Sequence, residues 1–302
     1  MCVYYYVFSA VIAVMGIAQL FPSKMPQFVQ DLVLYGKIKG DRKQWTVVQL
    51  LEVPKKWFLH FYVVGVFSNG LMTFLIARAY LTGSTFPHFI NTILSWINST
   101  PSGNDEYTKP VMALLCVMMM FIQNSRRLYE CMFVSVYSKG TMNLIHYHLG
   151  IVLYSTFPFV TLAYSVLPTS TAIPLANFIS EINFSTVCGI LLFLWASHKH
   201  NESHHILASL RLDKSGNVAH REHKIPYGGL FEYVSSPHFF CEILIYVAYV
   251  LTAGWRNSGV YSVFFFVLIN QMVASFLTHK WYLDTFQEKY PKNRRILVPY
   301  IM

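Results

Sequence analysis

The stretch Gln123-Asn124-Ser125-Arg126-Arg127-Leu128-Tyr129-Glu130 sets two arginines, a glutamate and two side-chain amides at the end of an apolar segment. A charge at mid-membrane costs at least ~2.5–3.5 kcal/mol, so such a group is either paired or part of a site. Arg126 and Glu130 stand four apart on one helical face and are expected to pair, which leaves Arg127 and Asn124 unexplained by that pair. Gln271, Ser275, Thr278 and Tyr282 follow one another at helical spacing and form a polar stripe that lines either a cavity or a helix contact. Glu52, in Leu51-Glu52-Val53-Pro54, precedes an apolar segment, and Pro54 argues against a helix running through it. It is either an interfacial acid or a group that does chemistry. Glu181 and Glu242 also lie in apolar segments.

Histidines crowd the stretch that holds His198, His200, His204, His205, His220 and His223. Histidines four apart on a helix can share a metal, and His200 with His204-His205 imitates the histidine box of membrane di-iron desaturases. Such sites need several boxes, and His146, His148, His238 and His279 do not repeat the spacing, so no metal is expected. No GxGxxG follows a strand, which excludes a dinucleotide held in the Rossmann manner. Cys2, Cys116, Cys131, Cys188 and Cys241 lie in or beside apolar stretches without CxxC spacing, as packing residues do.

The elements that must carry these groups are membrane helices. Only 12% of the 302 residues are charged and 54% are hydrophobic, against roughly 25% charged in soluble domains. Apolar segments recur at 2–20, 57–81, 110–134, 144–166, 172–195, 239–255 and 259–279, each near the ~20 residues that span a bilayer. The first lacks a positive flank and a cleavage site, so it reads as a span rather than a signal peptide. Lysines and arginines concentrate in 21–56, 135–143, 196–238 and 280–302 and at the inner end of the third span, while 82–109, 167–171 and 256–258 hold almost none. Alternate connections are therefore basic, which predicts a luminal N-terminus and a cytosolic C-terminus. The fold class expected is all-α, a polytopic bundle of about seven transmembrane helices forming one domain over 1–302. The net charge of +9 follows from these basic loops, not from a nucleic-acid-binding face. The sequon Asn98-Ser99-Thr100 falls on the luminal side, whereas those at Asn183 and Asn201 are expected to remain unused.

Three C-terminal patterns occur together: Lys224-Ile225-Pro226-Tyr227-Gly228-Gly229-Leu230-Phe231-Glu232-Tyr233-Val234-Ser235-Ser236-Pro237-His238, then His279-Lys280-Trp281-Tyr282, then Tyr290-Pro291-Lys292-Asn293-Arg294-Arg295 running to Pro299-Tyr300. As a set they resemble the steroid 5α-reductase family, and Ser125-Arg126-Arg127-Leu128-Tyr129-Glu130 resembles its polyprenol (polyprenal) reductase branch. The resemblance implies an endoplasmic-reticulum membrane enzyme that takes NADPH from the cytosol and reduces a double bond conjugated to a carbonyl. It assigns cofactor contacts, all within 196–302, to His200, His204, Arg211, His223, His238, Glu242, Tyr282 and Arg294. Several of these are histidine where steroid reductases carry asparagine, aspartate or tyrosine. Glu52 matches the family's catalytic acid, Asn124 stands where steroid reductases place a tyrosine that holds the ketone, and Arg127 matches the arginine that follows it.

The implied substrate is a polyprenyl lipid on the route to dolichol, with 4-ene-3-ketosteroids a second class to test. Hydride is a nucleophile, and only a carbonyl gives the resulting charge a stable place, on an enolate oxygen. Polyprenal is therefore favoured over polyprenol, with Glu52 as donor to the carbonyl and Asn124 and Arg127 assisting. A trans-2-enoyl-CoA reductase shares the chemistry, and an isoprenylcysteine methyltransferase shares the membrane architecture. A channel or transporter would also carry intramembrane polar groups but needs no cofactor region.

Overall fold

The computed structural model describes residues 1–21, 24, 26, 27, 29, 30, 46–97, 108–137, 140–167, 172–213, 215, 217, 218, 223–255 and 257–301. The sequon at Asn98, His220 and most of the basic stretch 21–56 lie outside them. The chain is mostly helical. In order it forms α1 (Cys2–Ala18), α2 (Thr46–Leu50), β1 (Glu52–Pro54), α3 (Phe58–Thr82), α4 (His88–Ile97), α5 (Pro110–Phe133), β2 (Thr141–Asn143), α6 (Leu144–Ala163), α7 (Leu175–Glu181), α8 (Phe184–Ser209), α9 (Pro237–Ala253) and α10 (Ser258–Phe286).

Among the described residues three helical stretches, Lys55–Thr82, Pro110–Phe133 and Ser258–Lys289, are long and apolar enough to cross a membrane, and Cys2–Ala18 and Pro237–Ala253 are shorter apolar helices. Their outward faces are apolar too. Val63, Phe67, Leu71 and Phe74 line one exposed side of α3, and Val3, Val7, Val11 and Val14 one side of α1. Exposed apolar stripes at helical spacing suit lipid as the surrounding solvent.

The fifth apolar segment departs from expectation. Rather than one helix over 172–195, it contains the short α7 and then α8, which starts at Phe184 and continues to Ser209. Asn183 causes the restart: its side-chain oxygen accepts from the Thr186 amide at 2.9 Å, the bond that caps a helix N-terminus. The first part of the expected loop 196–238 is therefore helix, and its histidines ride on a continuation of α8. The expected loop 82–109 likewise holds α4, whose Ile90 and Leu94 are buried against the bundle. The all-α expectation is also incomplete, because β1 pairs antiparallel with β2, Glu52 opposite Asn143. Pro54 accounts for the extended backbone there.

Helices α3 and α5 pack together, as do α8 with α9, α9 with α10, α1 with α10 and α3 with α6. The main core gathers Tyr5, Tyr62, Tyr154, Phe157, Tyr246 and Tyr249 from α1, α3, α6 and α9.

Candidate functional site

The polar residues of α5 meet those of α8 and α9 in one buried network. Glu130 is fully buried and is paired with both Arg126 and Arg127. Asn201 donates to the same carboxylate at 2.7 Å. The expected Arg126–Glu130 pair is present, but Arg127, read from sequence as left over, shares it: three residues apart is also one helical face. Arg127 also contacts Tyr62 on α3, with Nε donating to the phenol oxygen at 3.3 Å and the guanidinium 5.0 Å from the ring centre.

Arg126 Nη2 donates to Gln123 Oε1 and lies 2.9 Å from His200 Nδ1. A guanidinium only donates, so Nδ1 accepts and the His200 proton sits on Nε2. That nitrogen is 3.2 Å from His204 Nε2 and 3.5 Å from Glu242 Oε2. The His238 ring follows, 5.8 Å from that of His204. The helix face predicted to hold His200 and His204 together does so, one turn apart. Among the described residues no group of three or more His, Cys, Asp or Glu side chains is arranged to hold a metal ion.

Asn124, one turn before Arg127, is fully buried and neither atom of its amide has a hydrogen-bond partner among the described residues. It lies against Gly65 of α3, where an added Cβ would come 2.7 Å from Asn124 Nδ2. Gly65 is thus what lets the Asn124 side chain into this helix contact.

Arg294, Tyr282, Arg211 and His223 form a second group at the C-terminal end of α10. The Arg294 guanidinium lies 4.7 Å from the Tyr227 ring centre and 5.6 Å from that of Tyr290. Its Nη1 donates to the Pro226 carbonyl at 2.8 Å, whereas Nε and Nη2 find no hydrogen-bond partner among the described residues. Tyr282 stacks on Tyr290 at 5.2 Å. The Tyr290 hydroxyl meets Ser235 Oγ at 2.6 Å, and Ser235 Oγ also meets His279 Nδ1 at 2.6 Å. Burial pushes the Tyr290 phenol above its ordinary pKa, against the opposing pull of Ser235 and Arg294. Arg211 bonds the Val136 carbonyl and stands 3.5 Å from His223 Nδ1, and burial lowers its pKa from the ordinary arginine value. Gly228 and Gly229 turn the Pro226–Gly229 stretch at φ of +95° and +54°, a region that side-chain-bearing residues rarely adopt.

Glu52 is held from a third place. It is half-buried on β1 and accepts from the Thr141 hydroxyl of β2 at 2.7 Å. Beside this pair a cavity of about 830 Å³ is lined by Phe8, Leu51, Val64, Leu144, Tyr147 and Ile151, among others.

Residues 141–302 match the family described as 3-oxo-5-alpha-steroid 4-dehydrogenase. The chain belongs to this family, the steroid 5α-reductases. Within it, the chain is 34% identical to the polyprenal reductase of Danio rerio over 286 residues, 93% of this chain and 90% of that protein. The Homo sapiens polyprenal reductase is 32% identical over 274 residues, 90% of this chain and 85% of that protein. This steroid 5α-reductase family member carries all eleven residues expected from sequence in three groups: Asn124, Arg127, His200, His204, His238 and Glu242; Arg211, His223, Tyr282 and Arg294; and Glu52. Sequence reading missed Tyr62, Asn201, Tyr227 and Ser235. Asn201 was legible in principle, being next to His200 on a helix that outlasts its apolar segment, whereas no spacing marks Tyr62.

Proposed function

We propose that this chain reduces the α,β double bond of a polyprenal, using NADPH, in a single membrane domain of seven spans with its N-terminus in the endoplasmic-reticulum lumen and its C-terminus in the cytosol. The observation that carries this reading is the likeness, along about nine-tenths of the chain, to proteins named polyprenal reductase. The donor set near the C-terminus suits a dinucleotide phosphate: Arg294 is buried, aromatic-packed and has two nitrogens without hydrogen-bond partners among the described residues, and a guanidinium fork is the side chain that best matches phosphate oxygens. Arg211, His223 and Tyr282 complete that end, and His200, His204, His238 and Glu242 the other. When bound, NADPH supplies the hydride.

The chain's own residues act on the carbonyl. Asn124, whose buried amide donor is unmatched among the described residues, supplies a hydrogen bond to the developing enolate oxygen, and preorganised donors of this kind are effective where water is excluded. Arg127, held by Glu130 and Tyr62, contributes a fixed positive field. Glu52, positioned by Thr141, is the donor or organiser of the same carbonyl. The 830 Å³ cavity beside Glu52 has an apolar lining of the kind that suits an isoprenoid tail.

The test is an assay of purified protein with NADPH against polyprenal, polyprenol, a 4-ene-3-ketosteroid and an enoyl-CoA. Saturated aldehyde from polyprenal is expected, and its absence while another substrate is consumed overturns the reading. Protease treatment of sealed microsomes should remove the C-terminus; protection reverses the orientation.

A further inference from the structure

Among the described residues two phenols of the aromatic core lack a hydrogen-bond partner, Tyr4 at its partly buried edge and Tyr246 within it. Tyr5 exchanges a hydrogen bond with Thr156 at 2.6 Å, Tyr62 accepts from Arg127 at 3.3 Å, and Tyr249 donates to Met120 Sδ at 3.6 Å. Tyr246, on α9 one turn beyond Glu242, is 1% exposed, and its hydroxyl has no hydrogen-bond partner among the described residues. Leaving a buried hydroxyl unmatched costs about 1–3 kcal/mol, and phenylalanine would fill the same space beside Phe157 and Tyr249 without that penalty. The ring stands in electrostatic reach of Glu242 and Tyr62, and Glu242 in reach of Arg127, so the phenol borders the network that holds Arg127 and Asn124.

The proposed reduction leaves one atom unsupplied. Glu52, Asn124 and Arg127 act at the carbonyl oxygen, but the saturated aldehyde also needs a proton on its α carbon, inside a core that excludes water. We propose that Tyr246 is a catalytic residue that delivers this proton, an inference that rests on the reading of the chain as an enal reductase. The β carbon receives hydride from reduced nicotinamide, and the double-bond electrons move to form the enolate. The Tyr246 O–H bond then breaks as the α C–H bond forms, and water reprotonates the phenolate when the aldehyde leaves. A phenol is a stronger acid than the α C–H of a saturated aldehyde, so the proton moves from oxygen to carbon. Delivery from one fixed side chain also requires that the α carbon be protonated on one face only.

The experiment compares wild type with Tyr246→Phe in D2O with unlabelled NADPH and polyprenal, the product being trapped by chemical reduction before exchange. Wild type should place deuterium on one face of the α carbon. Tyr246→Phe should turn over about 100-fold more slowly, the lower range for acid catalysis, and place deuterium on both faces. Its NADPH requirement should not change, and its melting temperature should hold or rise, because the lost hydroxyl had no hydrogen-bond partner. Retained facial selectivity, at any rate, overturns the assignment, as does a joint loss of melting temperature and cofactor affinity, which marks a structural role. If wild type itself forms no saturated aldehyde, the proposed function fails and this inference with it. Wild-type activity with an indifferent Tyr246→Phe variant sinks the inference alone.

Discussion

Arg127 and Arg294 are both buried arginines, at 8% and 4% exposure, yet their surroundings are opposite. Arg127 shares the Glu130 carboxylate with Arg126 and gives its Nε to Tyr62. Arg294 lies between two tyrosine rings, with Glu232 no nearer than 4.0 Å and two nitrogens lacking hydrogen-bond partners among the described residues. A guanidinium in an apolar region is tolerated when a carboxylate neutralises it, whereas one flanked by π faces keeps its donors available for an anion. The contrast separates an arginine whose charge is neutralised inside the helix bundle from one whose Nε and Nη2 have no hydrogen-bond partner among the described residues.

The largest effect should come from breaking the first of these. Glu130→Ala leaves Arg126 and Arg127 buried without their carboxylate, a loss expected to cost about 3–5 kcal/mol. Thermal unfolding in detergent should show a strongly destabilised protein; unchanged stability would mean that the network is not what holds α5, α8 and α9 together. Glu52→Gln, by contrast, should fold, bind NADPH and turn over at least about 100-fold more slowly. Comparison with Glu52→Ala then sorts the role: if Gln retains activity and Ala does not, Glu52 orients the carbonyl without giving up a proton, and near-wild-type rates in both remove it from the mechanism.

On the other side of the contrast, Arg294→Ala should raise the apparent NADPH requirement by about tenfold, or ~1.4 kcal/mol, with turnover at saturating cofactor retained. Arg211→Ala should act in the same direction. Titration of NADPH in both variants is the check, and wild-type requirements in two well-folded proteins would place the phosphates elsewhere. The smallest effect is expected at Thr141→Val, which removes one hydrogen bond to Glu52. A bond worth about 1 kcal/mol corresponds to a roughly fivefold slower reaction, and no change would show that β2 does not position the acid.

The sequence by itself determined that the chain is mostly apolar helix, that Arg126 and Glu130 pair, that Pro54 ends helical structure near Glu52, and which family the C-terminal motifs resemble. All of these are local: a helical period or a proline acts within a few residues along the chain. The hydrophobic pattern misplaced the fifth segment because hydropathy averages over a break that one capping side chain, Asn183, creates. The tertiary structure decided the rest. Glu52 meets Thr141 across 89 residues, Arg126 meets His200 across 74, and Asn124 is admitted by Gly65 on another helix. An unmatched hydroxyl such as that of Tyr246 is likewise invisible in one dimension, because whether a polar atom has a partner depends on every helix packed around it.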